Sequence, residues 1–475
     1  MPRLAQLDSV LPVLVVGLLG GSVGCVTAGE QRTRADLARA GATLADLPEP
    51  DSEAPLGADW ADEEAPRFDG SPEAYVAYAL AHDNRLRAKW ERWRAASHRV
   101  ARERRLPMPM LSYTLFISPV ETRVGPQRQR LGLQQRFPWP GTLAAGAEAA
   151  TAATRVAQRE FEAAALERRA EVLEAYWRLW MIREAVIVER EQLELFGAIA
   201  ELARARLELG RASLADVQQI DLGRARLADQ IDGLGEAERK AEATLLGAVA
   251  APPGTEAPTL ALMPGLELPV QDAPELRMSL VDHPMLERWN EQAAVGEQRA
   301  KQARLARAPG FALGIDWIEV GPARMAGVAD SGKDAVSVTV GVELPLWQRN
   351  YAEDQRAAEA DTAAARAEWA AARDRAAADL GVTLATVRDT ARRARVNETT
   401  LVPQAEGALE STLGGYATGT SELAAILLAE RELLALRLAG VELHAAHAVA
   451  WAELERIVGR PVDGRPVRAE REQQP

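Results

Sequence analysis

The sequence predicts an α+β protein in which each chain supplies four β-strands, as two hairpins, and long α-helices arranged in two structural repeats. Three observations predict it. Ala, Leu, Glu and Arg dominate the middle of the 475-residue chain while aromatics make up only 5%, a composition of long helices or coiled coils. Beyond about residue 70 the chain repeats itself, at an offset of roughly 200 to 210 residues. Four short segments, two in each half, alternate apolar and polar residues with a period of two. The formal net charge is −13, with acidic residues and Arg interleaved. An acidic balance without a basic stripe weighs against a nucleic-acid partner.

Taken in chain order, residues 1–24 look like a signal peptide: Arg3 is the early positive charge, residues 10–19 are apolar, and small residues follow. The apolar run is short for a membrane-spanning helix. The single cysteine, Cys25, excludes an internal disulfide. Ser22-Val23-Gly24-Cys25 resembles a bacterial lipobox, with Ser22 where Leu is usual. That resemblance implies lipidation of Cys25, and Val26 after it implies outer-membrane sorting; ordinary secretion with Cys25 as a spare thiol is the other reading. Residues 25–71, rich in Pro, Asp, Glu and Gly, are expected to form an extended, lipidated N-terminal arm.

The first repeat spans 72–251, with a hairpin over 110–137, and the second spans 275–459, with a hairpin over 311–346. An inter-repeat linker, 252–274, separates them, and 460–475 is a tail. Each repeat opens with a polar helix start, Asp83-Asn84 and then Asp282-His283-Pro284. Each meets a proline break at Pro107 or Pro309. Two alternating segments follow, then Phe137-Pro138-Trp139-Pro140-Gly141 or Leu344-Pro345-Leu346-Trp347. Long helical stretches come next, over about 142–209 and 351–416, each spanning roughly 100 Å if continuous. Pro403 is expected to kink the second or to mark a change of layer. Glycine breaks close both stretches, at Gly210 and at Gly419.

The alternating segments decide between architectures. Leu111, Tyr113, Leu115 and Ile117 oppose Ser112, Thr114 and Phe116; Leu131, Leu133 and Phe137 oppose Arg130, Gly132, Gln134 and Arg136. Phe311, Leu313, Ile315 and Trp317 oppose Ala312, Gly314 and Asp316; Val336, Val338, Val340, Val342 and Leu344 oppose Ser337, Thr339, Gly341 and Glu343. This suits a lipid-facing barrel with a watery lumen, and equally a soluble antiparallel sheet with one wet face. The connections 118–128 and 321–334 are expected as exposed hairpin loops. Four strands cannot close a barrel, and open edges are not tolerated in lipid. Two copies would give eight strands, a barrel plugged by side chains; three give twelve and a lumen, so a homotrimer is favoured. Trp139 and Trp347 sit at strand ends, where interfacial aromatics stand, or simply pack. Pro138, Pro140 and Pro345 stop the strands and turn the chain into helix.

The lipobox, the duplicated units, the Phe-Pro-Trp-Pro-Gly turn and the Tyr-x-x-Gly-x-Ser break at Tyr416, Gly419 and Ser421 together resemble the TolC family of outer-membrane efflux proteins. The match covers about residues 72–458, and 401–459 is most similar to lipidated CzcC- and CusC-type members that serve heavy-metal resistance. The resemblance implies a trimeric twelve-stranded outer-membrane β-barrel on an α-helical periplasmic tunnel. It also implies a periplasmic adaptor (membrane fusion) protein and an inner-membrane pump as partners, the pump of RND type rather than ABC. Such a channel is a passive exit duct for small toxic solutes, metal cations or drugs. Gly210, Ser213, Asp216, Gly419, Ser421 and Glu422 would then form the periplasmic tip and adaptor contact. Asp216 fits the family's acidic constriction, whereas 423–428 is apolar where TolC carries aspartates, leaving Glu422 as the substitute.

No P-loop, GxSxG or HExxH motif is present, so no enzyme activity, cofactor or bound metal is expected. His444 and His447, at i and i+3, could share a metal, but on an Ala-rich helix a partly solvated pair is the expected state. An exit channel for type I protein secretion is the alternative within the fold. A periplasmic coiled-coil structural protein is the alternative outside it.

Overall fold

The structure, a computed structural model, describes residues 27–44, 66–252, 254–260 and 263–466. The expected signal peptide and Cys25 lie outside these residues. The chain divides into two units. The first is built from Trp90–Arg159 and Glu287–Ala370 together with described residues up to 39. The second is built from described residues between 40 and 89, Glu160–Leu286, and 371–466.

In the first unit, helix α1 (Ala28–Thr43) occupies part of the segment expected as an extended arm. No apolar stripe announces it; polar contacts fix it. The Thr27 hydroxyl accepts the Glu30 N–H at 3.3 Å, an N-cap. The buried Glu30 pairs with Arg104 and, at 2.7 Å, with Arg34. Trp90 Nε1 donates to the Leu37 carbonyl at 3.2 Å. Next in the chain come α2 (Pro72–His82), which belongs to the second unit, and α3 (Asn84–Arg104), which runs from the second unit into the first, with Asp83 at the break between them.

The strands are β1 (Met110–Leu115), a short β2 (Glu121–Thr122), β3 (Gly125–Phe137), β5 (Gly310–Val320) and β6 (Ala335–Glu343). All pair antiparallel in the order β1-β3-β5-β6, with β2 on the end of β3. The two hairpins therefore join into one sheet through β3 and β5. The expected loop over 118–128 is shorter than the sequence suggests, because β2 and the first residues of β3 extend the pairing into it. The second hairpin ends at Glu343, so 344–346 leave the sheet.

Helix α4 (Thr142–Glu208) is continuous over 67 residues and passes from the first unit into the second. It is followed by α5 (Leu214–Ala248). The segment expected as a linker then forms β4 (Glu267–Pro269), which pairs with β7 (Gly464–Pro466) of the expected tail. Three paired residues on each strand suffice to tie two stretches that are remote in sequence. Helix α6 (Ala273–Ser279) and a 3₁₀ turn lead to α7 (Pro284–Ala306), and α8 (Gln348–Val396) follows β6. Pro403 lacks an N–H and clashes with the preceding turn of a regular helix. The chain accommodates it with a π-turn (Asn397–Leu401), in which the Val402 N–H reaches back to the Asn397 carbonyl. Helix α9 (Val402–Thr418) and α10 (Leu423–Val458) complete the repeat.

The second unit buries its apolar residues in two clusters. One gathers Tyr75, Val172, Tyr176, Leu179 and Leu245; Tyr75 and Tyr176 donate their hydroxyls to the carbonyls of Thr259 and Gly70 at 2.8 and 2.7 Å. The other gathers Phe196, Ile199, Ile220, Tyr416, Ile426 and Leu433 from α4, α5, α9 and α10.

Candidate membrane-facing sheet and helix-end turns

In the sheet, the register places like with like. Leu111, Leu133, Ile315 and Val338 form one cross-strand row, and Tyr113, Leu131, Trp317 and Val336 form another. Phe137, Phe311 and Val342 lie side by side on the same face. Between these rows run polar or small ones: Ser112, Gly132, Asp316 and Ser337, then Arg136, Ala312 and Gly341. The apolar face is exposed along β1 and β6, and the other face is mixed, with Ser112, Arg136, Ser337 and Thr339 exposed as well. Leu111 is 69% exposed and Val340 73%, while Ala312 and Asp316 on the other face are buried. A water-soluble antiparallel sheet does the opposite and packs its apolar face on a core.

The polar face carries cross-strand ion pairs: Arg130 to Asp316 at 2.9 Å and Arg136 to Glu343 at 3.2 Å. The Thr339 hydroxyl donates to Asp316 at 3.4 Å. At one end of the apolar face, the Tyr113 hydroxyl donates to Gln129 Oε1 at 2.8 Å, in a polar patch completed by Glu319. At the other end Trp139 stacks on Phe311 with centroids 6.0 Å apart. Pro138 and Pro140 flank that ring. Across the sheet's end, Pro345 precedes Trp347, which is 69% exposed. Among the described residues, strands β1 and β6 each have a partner on one side only, which leaves the sheet two open edges.

The glycine turns close in two different ways. Gly210 (φ +70°) and Gly419 (φ +90°) adopt the left-handed conformation that L side chains disfavour. After Gly210, Ser213 and Asp216 form a capping box: the Ser213 hydroxyl accepts the Asp216 N–H at 3.1 Å, and Asp216 accepts the Ser213 N–H at 2.8 Å. Asp216 is thus engaged at a helix start. After Gly419, the Ser421 N–H bonds the Gly415 carbonyl at 3.1 Å, and Glu422 stands at the N-cap of α10 without a side-chain cap bond.

Arg206 links the two turns. Its guanidinium lies 4.4 Å from the Tyr416 ring centroid and donates to the Arg211 carbonyl at 3.4 Å. Burial raises the Tyr416 hydroxyl pKa, with the Arg206 charge opposing. The sequence motif points to Tyr416, but a lone Arg one turn before a glycine carries no signal for this contact.

Two further features differ from expectation. His444 and His447 are 5% and 1% exposed, not solvated, because Ala-rich helix faces pack close. Each finds its own partners, so they share no site; among the described residues no group of three or more His, Cys, Asp or Glu could hold a metal. Glu430 is buried at 3%, with Oε1 unpartnered. Desolvation, opposed by Arg431 and reinforced by nearby Glu189, pushes its pKa up to about 7. The signal was available: Leu423, Ile426, Glu430 and Leu433 form one helical stripe, and only Glu430 in it is polar.

No protein-family profile and no curated protein matches the sequence. Solved structures do match the fold. The outer membrane protein VceC from Vibrio cholerae is 20% identical, with a TM-score of 0.66 over 82% of this chain and 96% of that one. A membrane protein from Pseudomonas aeruginosa is 18% identical, with a TM-score of 0.68 over 88% and 96%. The transmembrane channel protein CusC is 14% identical, with a TM-score of 0.68 over 88% and 99%. The chain resembles outer-membrane channel proteins, CusC among them, and has their fold, mostly helical with a few antiparallel strands.

Proposed function

We infer that this chain is one of three copies that close a twelve-stranded outer-membrane barrel and form the passive exit duct of a tripartite efflux system. The observation that carries this reading is an antiparallel sheet with its apolar face exposed and both edges open. In lipid the apolar face is satisfied, but each unpaired backbone group at an edge costs several kcal/mol. Other chains must therefore cover the edges. Because the four strands alternate in direction, β6 of one copy would meet β1 of the next antiparallel, as a closed barrel needs. Two copies would leave a lumen that side chains fill; three leave a water path.

In that barrel Val336, Val338, Val340 and Leu313 would face lipid, and Arg130, Asp316, Arg136 and Thr339 would line the lumen. Among the described residues no helix is long and apolar enough to cross a membrane. Pro138, Trp139, Pro140, Pro345 and Trp347 would mark the membrane interface. Gly210, Ser213, Asp216, Gly419, Ser421 and Glu422 would form the tip that meets a periplasmic adaptor, with an inner-membrane pump supplying the energy. Cys25 would carry the lipid. The likeness to the channel CusC supports this reading, and metal cations or drugs are the proposed cargo.

The test is to extract the full chain from membranes in mild detergent, measure the particle's protein mass and record conductance in a planar bilayer. Three chains per particle and discrete channel steps are expected. A water-soluble single chain, or trimers without conductance, would overturn the reading.

A further inference from the structure

We propose that His444 is a proton-operated clasp: charged, it ties both the π-turn and the inter-repeat segment to α10, and neutral, it releases the π-turn. The geometry of its two ring nitrogens carries the argument. Nε2 lies 2.6 Å from Glu398 Oε1, and Nδ1 lies 3.1 Å from the Pro264 carbonyl oxygen. A carbonyl oxygen and an ionised carboxylate can only accept. Both nitrogens of this buried ring must then donate, which requires the imidazolium and makes the Glu398 contact a charge-assisted one.

His447, one turn on, is the contrast. Its Nε2 accepts the Glu267 N–H at 3.1 Å, and its Nδ1 faces the Thr390 hydroxyl at 3.1 Å. That hydroxyl gives its own hydrogen to the Thr386 carbonyl at 2.8 Å, so it accepts from Nδ1–H. A neutral ring satisfies every partner. Burial, with the neighbouring His444 adding to it, lowers the His447 pKa. The helix thus carries one histidine whose partners fit the neutral ring and one whose partners fit the charged ring.

Loss of the His444 proton would leave a lone pair facing an oxygen, and one contact must open. The Glu398 side chain is 42% exposed and can turn to water, whereas the Pro264 carbonyl belongs to the backbone. The Nδ1–H bond to Pro264 therefore stays and Glu398 lets go. Among the described residues, Glu398 of the π-turn contacts the ring and His447 on α10 interacts with it electrostatically. The inter-repeat segment presents its Pro264 carbonyl, and Glu267 contacts His447 through its backbone.

The released element is the one irregular turn between α8 and α9. A further tie to α10 is Asn397 Nδ2 donating to the Leu436 carbonyl at 3.0 Å. The approach is close: a Cβ on Gly440 would come within 3.0 Å of Asn397 Oδ1. The grip on the π-turn therefore holds while the ring carries both protons and weakens when it loses one.

Amide hydrogen exchange, read by mass spectrometry on the full chain in mild detergent at pH 5.5 and 8.0 and corrected for intrinsic chemistry, tests this. Amides of 397–402 should exchange roughly three- to tenfold faster at pH 8.0, a modest range because the exposed carboxylate is screened. The Glu398→Gln variant should lose this ratio, since a Gln side chain accepts from an imidazolium and donates to a neutral ring. Amides of 423–434 report separately on Glu430 and should not change in that variant. A wild-type ratio near one, or a Glu398→Gln variant that keeps the wild-type ratio, would overturn the proposal.

Discussion

Ile426 and Leu245 in the second unit's helices are fully buried, whereas Val336, Val338 and Val340 in the sheet stand 63–73% exposed. Residues of similar hydropathy are thus handled in opposite ways within one chain. Side chains such as Ile426 and Leu245 complete their burial within the chain, although Leu222, Val382 and Leu428 on the helices stay exposed. The sheet presents a continuous apolar surface and two open edges, so its burial awaits lipid and further copies. The same side chain must then matter for different reasons in the two places, and substitutions can separate them.

The largest effect is expected at Ile426→Ala, which should cost about 2–5 kcal/mol in thermal or denaturant unfolding because it leaves a cavity. Val340→Ala, by contrast, should change unfolding in detergent by less than about 0.5 kcal/mol. Equal losses at the two sites would remove the distinction. Next is Val340→Arg, which should cost about 2–4 kcal/mol in each copy at mid-membrane and deplete assembled trimers on native gels. Thr339→Arg, on the opposite face, should leave them in place.

A third effect is confined to the helices. The Glu430 pKa of about 7 lies above its ordinary 4.5, so the folded state holds this proton more tightly than the unfolded chain. Its neutral form is compatible with burial at low pH, and stability is lost as pH rises from about 4.5 through 7. Melting curves of Glu430→Gln should show a shallower decline over that window than wild type. A steeper one would contradict the assignment. The smallest contrast lies at the two turns. Ser213→Ala should cost about 1 kcal/mol through the lost cap, whereas Glu422→Ala, which removes no cap bond, should cost only a few tenths.

These contrasts also explain what could be seen in the sequence. Period-two alternation is a local property, so the four strands and their apolar faces were legible in residues such as Val336 to Val342. The direction in which the apolar face points was not, because a wet-faced soluble sheet has the same pattern. Helix α1 escaped notice because Glu30, Arg34 and Arg104 hold it by charge rather than by an apolar stripe. Pairing of β4 with β7 rests on three residues in each strand, too few to stand out. Pro403 announces an irregularity, but the bond from Asn397 to the Leu436 carbonyl that accompanies the π-turn joins residues far apart in sequence. At the turns, Gly210 and Gly419 were visible from their residue type. The Arg206–Tyr416 contact depends on two helix ends meeting, and no spacing encodes that.

The central claim is that the sheet's apolar face meets lipid while its other face meets water. It is tested most directly by placing a nitroxide label at position 340 or 339 of the reconstituted protein and measuring its collisions with oxygen and with a water-soluble nickel chelate. The account predicts that the label at 340 is relaxed mainly by oxygen, from the lipid, and the label at 339 mainly by nickel, from the water. Equal nickel access at both positions would contradict it.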